Sequence, residues 1–168
     1  MQCRGIRGAI TVSVNNKESI LAATVELLSE MAQVNKIEIA DISAIFFTTT
    51  PDLNAEFPAS ATRELGWPSS LAMLCGHERN VPNDLPRCLR ILMLVNTEKG
   101  MKDMRHVYLR EARTLRADLV LDYTEKKEKH WLPFVYGYNM NRGLDGKPEI
   151  RKIGNFEPRT QMRRPYLE

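Results

Sequence analysis

Arg90 stands inside Cys88-Leu89-Arg90-Ile91-Leu92-Met93-Leu94-Val95, a run that otherwise reads as a buried β-strand. A guanidinium keeps its proton in a protein, so burying it without a partner is very costly. Two readings follow. An internal carboxylate (Glu78, Glu64 or Asp52) neutralises it as a structural pair, or the group awaits an anionic ligand. Arg7, Arg63 and Arg116 also lie in segments that look structured and partly apolar. Together they suggest an anion-binding pocket lined by arginine.

Charge is distributed to match. The 168 residues carry a net charge of +3. Residues 1–120 hold 14 basic and 14 acidic side chains, and 10 of those 14 cations are arginine. Residues 121–168 hold 10 basic and 7 acidic side chains, which is the whole surplus. An arginine bias in a balanced segment suits bidentate recognition of carboxylate or phosphate. Nucleic acid is not expected as a partner, because no basic run with interleaved aromatics precedes residue 120. A membrane is not expected either: no apolar run is long enough to span one, and the N-terminus lacks a signal-peptide core. Cys3, Cys75 and Cys88 have no CxxC spacing and cannot all pair, which points to a reducing cytoplasm. His77, His106 and His130 show no ligand spacing, so no metal is expected.

The elements that must position these side chains read as an α/β (α+β) pattern. Residues 3–12 alternate as a strand, with Ile6, Ile10 and Val12 on one face and Cys3, Arg7 and Ala9 on the other. Asn15 or Asn16 caps a helix predicted to run to about Val34, with Leu21, Val25, Leu28 and Ala32 as its buried stripe. A strand follows from Ala44 to Thr50 and stops at Pro51-Asp52. Pro58 opens a short helix that Gly66 closes. Leu71–Cys75 is a further strand, 81–86 a loop, then come the strand around Arg90, a strand at Arg105–Leu109 and a helical turn over Arg110–Arg116. The order β-α-β-α-β-β-β predicts a mixed sheet with helices on one face, in one domain over residues 1–120.

Residues 121–168 change character. The highly charged run Thr124–His130 precedes isolated aromatics and the turn signal Leu144-Asp145-Gly146-Lys147-Pro148, with no sustained helical or strand period. This segment reads as an extension, irregular or partly disordered, rather than as a second domain. It could instead wrap a neighbouring subunit or bind a partner.

In order along the chain, Arg4-Gly5-Ile6-Arg7-Gly8-Ala9, Thr50-Pro51-Asp52-Leu53, Phe57-Pro58-Ala59, Arg63-Glu64-Leu65-Gly66-Trp67, Leu85-Pro86-Arg87-Cys88-Leu89-Arg90 and Arg105-His106-Val107-Tyr108-Leu109 resemble the AroH-class chorismate mutases. The resemblance spans about residues 3–119. It implies a homotrimer with a pseudo-α/β-barrel core and active sites between subunits. It also implies a cofactor-free reaction, the [3,3] rearrangement of chorismate to prephenate. The substrate is a dianion that must be held folded, and negative charge grows on its ether oxygen as that bond stretches. Fixed cations aimed at that oxygen favour the transition state.

On this resemblance Arg90 serves the ether oxygen and a carboxylate, and Arg7 and Tyr108 hold carboxylates. Glu78 accepts from the ring hydroxyl and orients Arg90, with Cys75 near that hydroxyl. Phe57, Ala59 and Leu115 form an apolar wall, and Arg63 and Arg116 steer the dianion inward. Three departures fall at the mouth and the end of the domain. Ser60 replaces a family lysine, Met73 and Leu74 replace smaller or more polar residues, and Ala117 stands where proline is common. Two other functions fit the same arginines: a trimeric sensor that binds a small anion without turnover, or a deaminase or lyase on a similar scaffold. Taken singly, Cys75 reads as a small hydrophobe, Tyr108 as a core or interface residue, Arg63 as a surface cation and Arg116 as a cation favouring the C-terminal end of its helical turn.

Overall fold

The computed structural model describes residues 1–119, together with the backbone of residues 138–142 and 148–152. The chain divides into two compact units, Met1–Lys129 and His130–Glu168. The domain boundary expected near residue 120 and most of the extension lie outside the described residues.

The first unit is built on five strands: β1 Gln2–Thr11, β2 Ile42–Thr49, β3 Met73–His77, β4 Cys88–Thr97 and β5 Val107–Leu109. They lie in the order β3-β2-β4-β1-β5. β4 runs antiparallel to both of its neighbours, β1 and β2, whereas β3 pairs with β2 and β5 with β1 in parallel. The sheet is therefore mixed, as the element order implied. β3 begins two residues later than the apolar run starting at Leu71 suggests, because it follows the register of β2 from Ile45.

Helix α1, Lys17–Asn35, covers one face. The Asn16 side chain accepts the Ser19 N–H at 2.8 Å and caps it. Lys36 closes it in the left-handed conformation. Its buried face is broader than the predicted stripe, since Ile20, Leu27 and Met31 are also fully covered. Under it lie Ile6, Ile10, Ile45, Phe47, Leu89 and Met93, all buried. Gly8 lies where helix and strand come closest: a Cβ there would stand 2.3 Å from the Met31 sulfur. A 3-10 turn at Pro58–Ser60 leads into the short helix α2, Ala61–Glu64, and Gly66 ends the segment at φ 68°.

Among the described residues, the other face is covered only near β5, where the 3-10 segment Arg110–Leu119 folds over it and Ala9, Cys88, Tyr108 and Ala112 form a small cluster with Leu85, Leu115 and Leu119. Both α-helices thus lie on the same face, as the element order implied, and a 3-10 segment adds a small cover on the other. In the second unit, Tyr138–Arg142 and Pro148–Lys152 pair as an antiparallel hairpin, β6 and β7. The sequence shows no strand period there, because backbone pairing alone defines these two short strands.

Candidate active site

Strand register explains the site. Ala9, Arg90 and Thr48 are neighbours across β1, β4 and β2, and Tyr108 on β5 sits beside Ala9. Arg7, Leu92, Phe46 and Leu74 form the next row. Partners in register share a face, so both rows point away from α1. Arg90 thus belongs to a strand whose helix-facing residues, Leu89, Ile91 and Met93, are buried, while its own side chain emerges on the open side.

These rows line a cleft of about 620 Å³ bounded by Arg7, Thr48, Glu78, Arg90, Tyr108, Leu115 and Arg116, with Phe46, Leu92 and the strand residues beneath. Glu78 follows the end of β3, and its backbone N–H donates to Thr49 O at 2.8 Å. One carboxylate oxygen accepts the Thr48 hydroxyl, and the other lies 3.2 Å from Arg90 Nη1. Arg90 Nη2 is 3.1 Å from each carboxylate oxygen of Asp84. Burial opposes the charge of Arg90, but the Cys88 sulfur, Asp84 and Glu78 outweigh it and hold the guanidinium above its usual range. Its side chain is 27% exposed, so the pairing does not seal it from the cleft.

The remaining groups differ in how far they are satisfied. The Tyr108 hydroxyl is buried and has no hydrogen-bond partner among the described residues. A buried donor left open in a cleft suits a ligand oxygen. Arg7 is exposed on β1, and its backbone N–H donates to His106 Nδ1 at 3.1 Å. Burial, with Arg7 and Arg116 nearby, pushes the His106 imidazole below its ordinary pKa, so its ring nitrogen stays available as an acceptor. Arg116 is held by both oxygens of Asp118 at 2.8 and 2.7 Å, which pushes its pKa up and that of Asp118 down.

Of the residues singled out in the sequence, Arg7, Glu78, Arg90, Tyr108, Leu115 and Arg116 line one cleft. Phe57, Ala59, Arg63, Met73, Leu74 and Cys75 do not. They lie around β3, at the opposite edge of the sheet from β5, and on the Phe57–Glu64 segment. Register sets Met73 and Cys75 on the helix-covered face beside Ile45 and Phe47, and the Thr62 hydroxyl donates to the Met73 sulfur. Of the three internal partners considered for Arg90, only Glu78 reaches it. Asp52 instead accepts the Arg87 N–H at 2.8 Å. Asp84 and Thr48 were not anticipated. An acid in the loop just before the arginine strand, and a threonine two residues from Phe46 in an apolar strand, were the available signals.

Comparison with known proteins identifies the family. The family model for chorismate mutase type I matches residues 3–119. The chain is 47% identical over 117 residues to a chorismate mutase AroH of Thermus thermophilus, covering 69% of this chain and 95% of that protein. It is 41% identical over 122 residues to a chorismate mutase AroH of Bacillus subtilis (strain 168), covering 72% and 95%. A solved chorismate mutase from Clostridium thermocellum superposes with a TM-score of 0.64 at 50% identity, over 66% of this chain and 97% of its own. With its mixed five-stranded sheet and arginine-lined cleft, the chain belongs to the type I chorismate mutase family.

Proposed function

We propose that the cleft converts chorismate to prephenate, an intramolecular isomerisation that feeds the synthesis of aromatic amino acids. The observation that carries this reading is the convergence of Arg7, Arg90, Glu78 and Tyr108 on one cleft. The reaction breaks a carbon–oxygen bond and forms a carbon–carbon bond within one molecule, so no group enters or leaves. What it needs is a folded dianion and a cation at the ether oxygen. Arg90, gripped by Glu78 from a strand end, is a cation fixed before substrate arrives. Arg7 makes no ion pair among the described residues and is free to take a carboxylate. The open Tyr108 hydroxyl donates to the same dianion. Thr48 holds Glu78 so that its second oxygen faces Arg90.

The working unit in this reading is a homotrimer in the cytoplasm. Leu74, Phe46 and Leu92 lie side by side across β3, β2 and β4 with 62%, 38% and 40% exposure, an apolar row that a neighbouring sheet would cover. Phe57, 70% exposed, and Arg63 lie outside their own protomer's cleft, and in this reading they complete a neighbour's. The three thiols are free, which fits a reducing compartment. The test is turnover of chorismate by purified protein with the product identified. Prephenate formation supports the reading. Chorismate binding without turnover would replace it with the sensor.

A further inference from the structure

Two carboxylates hold Arg90, and they are anchored differently. Glu78 is fixed twice besides its ion pair, by its backbone N–H to Thr49 O and by the Thr48 hydroxyl on its second oxygen. Asp84 comes from the loop of residues 81–87. Its backbone N–H donates to Val81 O at 3.2 Å, and among the described residues its carboxylate has, besides Arg90, the Leu85 N–H, one residue along, at 2.8 Å. Both Asp84 oxygens face a single nitrogen, Nη2, at 3.1 Å, and do not span the guanidinium fork. Asn83 and Arg87 beside it take left-handed backbone, at φ 64° and 47°. The loop's far end is pinned, since the Arg87 N–H donates to Asp52 and Arg87 O accepts the Val12 N–H at 2.8 Å. The loop is therefore tied to the sheet at residue 87, whereas the partners of Asp84 other than Arg90 belong, among the described residues, to its own loop.

With Nη1 on Glu78 and Nη2 on Asp84, each terminal nitrogen of Arg90 already faces a carboxylate. A dianion entering the cleft meets a cation that two acids already hold, and its oxygen either uses a remaining N–H of the guanidinium or displaces Asp84 from Nη2. We propose that Asp84 is a built-in competitor for the substrate: it occupies Arg90 Nη2 in the empty enzyme and leaves when the substrate oxygen arrives. It keeps the guanidinium extended between turnovers, and an anion that approaches through Nη2 must displace it. A weakly bound inorganic anion fails that requirement more readily than a dicarboxylate also held by Arg7 and Tyr108. The assignment rests on the cleft being the chorismate site.

The test is Asp84→Asn, which removes the charge and keeps an oxygen for the Leu85 N–H. Steady-state kinetics would be run beside calorimetric titration with prephenate, which reports binding without turnover. Because a binding-competent fraction scales apparent affinity directly, KM and the prephenate Kd should both fall about three- to tenfold, with kcat changing less than about twofold. The gain should survive about 0.5 M salt, where long-range attraction is screened but a direct contact is not. Unchanged or weaker prephenate binding overturns the proposal, as does a gain that vanishes at high salt. A large drop in kcat at constant KM also overturns it, because Asp84 would then be positioning Arg90 throughout the reaction. Wild-type protein that binds prephenate but leaves chorismate intact would defeat the assigned activity alone, and the Asp84→Asn titration would still decide this inference.

Discussion

Arg90 tolerates its place because the strand that carries it has one face against α1 and the other open to the cleft. Replacing it with alanine removes the charge proposed to face the breaking bond and leaves Glu78 and Asp84 facing each other without a cation. Arg90→Ala is expected to lower kcat/KM by about 10²–10³-fold or more, measured on protein with wild-type circular dichroism. Arg90→Lys should recover little, since a point charge cannot serve Glu78 and a ligand in one plane as the guanidinium does. Acidity should act on stability before it acts on chemistry. His106 is held neutral by burial and by the Arg7 and Arg116 charges, so the folded state binds its proton more weakly than the unfolded chain does. Stability should therefore decline as pH falls below about 6.5, and His106→Gln should flatten that part of a Tm-against-pH plot. kcat itself should stay level around neutrality, because no proton moves in the rearrangement; a bell centred near pH 7 would contradict this.

At the scale of elements, the packing of α1 on β1 depends on the missing side chain at residue 8. Gly8→Ala would force Met31 and Leu27 aside, since the added carbon would lie 2.3 and 3.2 Å from them. A loss of about 1–3 kcal/mol is expected in denaturant unfolding, with the m-value unchanged. The sequence showed these elements with good fidelity where a local rule governs. The Asn16 cap, Pro58 opening its turn, and Gly66 in left-handed backbone all follow from side-chain chemistry within a few residues. It was less informative where a distant strand decides. β3 took its start from pairing with Ile45, and the covering of Ala9 and Cys88 by Arg110–Leu119 has no local signature. The same division applies to the site. Arg90 and Arg7 stood out as charges in apolar strands, whereas Asp84 looked like any loop acid until the fold brought it 3.1 Å from Nη2.

For the whole molecule, the uncovered apolar row predicts dependence on association. If the proposed trimer forms through this row, Leu74→Asp should reduce the mass found by light scattering from trimer towards monomer, with loss of turnover that recovers in part at high protein concentration. A monomer with full activity would show that each cleft is complete by itself. Digestion back to about Leu121 should leave turnover intact if residues 121–168 have no catalytic part.

β4 is gripped along both edges, by β1 from Gln2 to Thr11 and by β2 from Ile42 to Thr49. Side chains on a strand alternate, so a slip of one position would turn Arg90 inward among Ile45, Phe47 and Met31, with no acid to meet it. A nascent chain that zips up misaligned cannot settle into a stable but inactive look-alike. The arginine proposed to serve the reaction also proofreads its own assembly, and single-residue insertions or deletions between 88 and 97 should abolish soluble expression rather than yield a folded, silent protein.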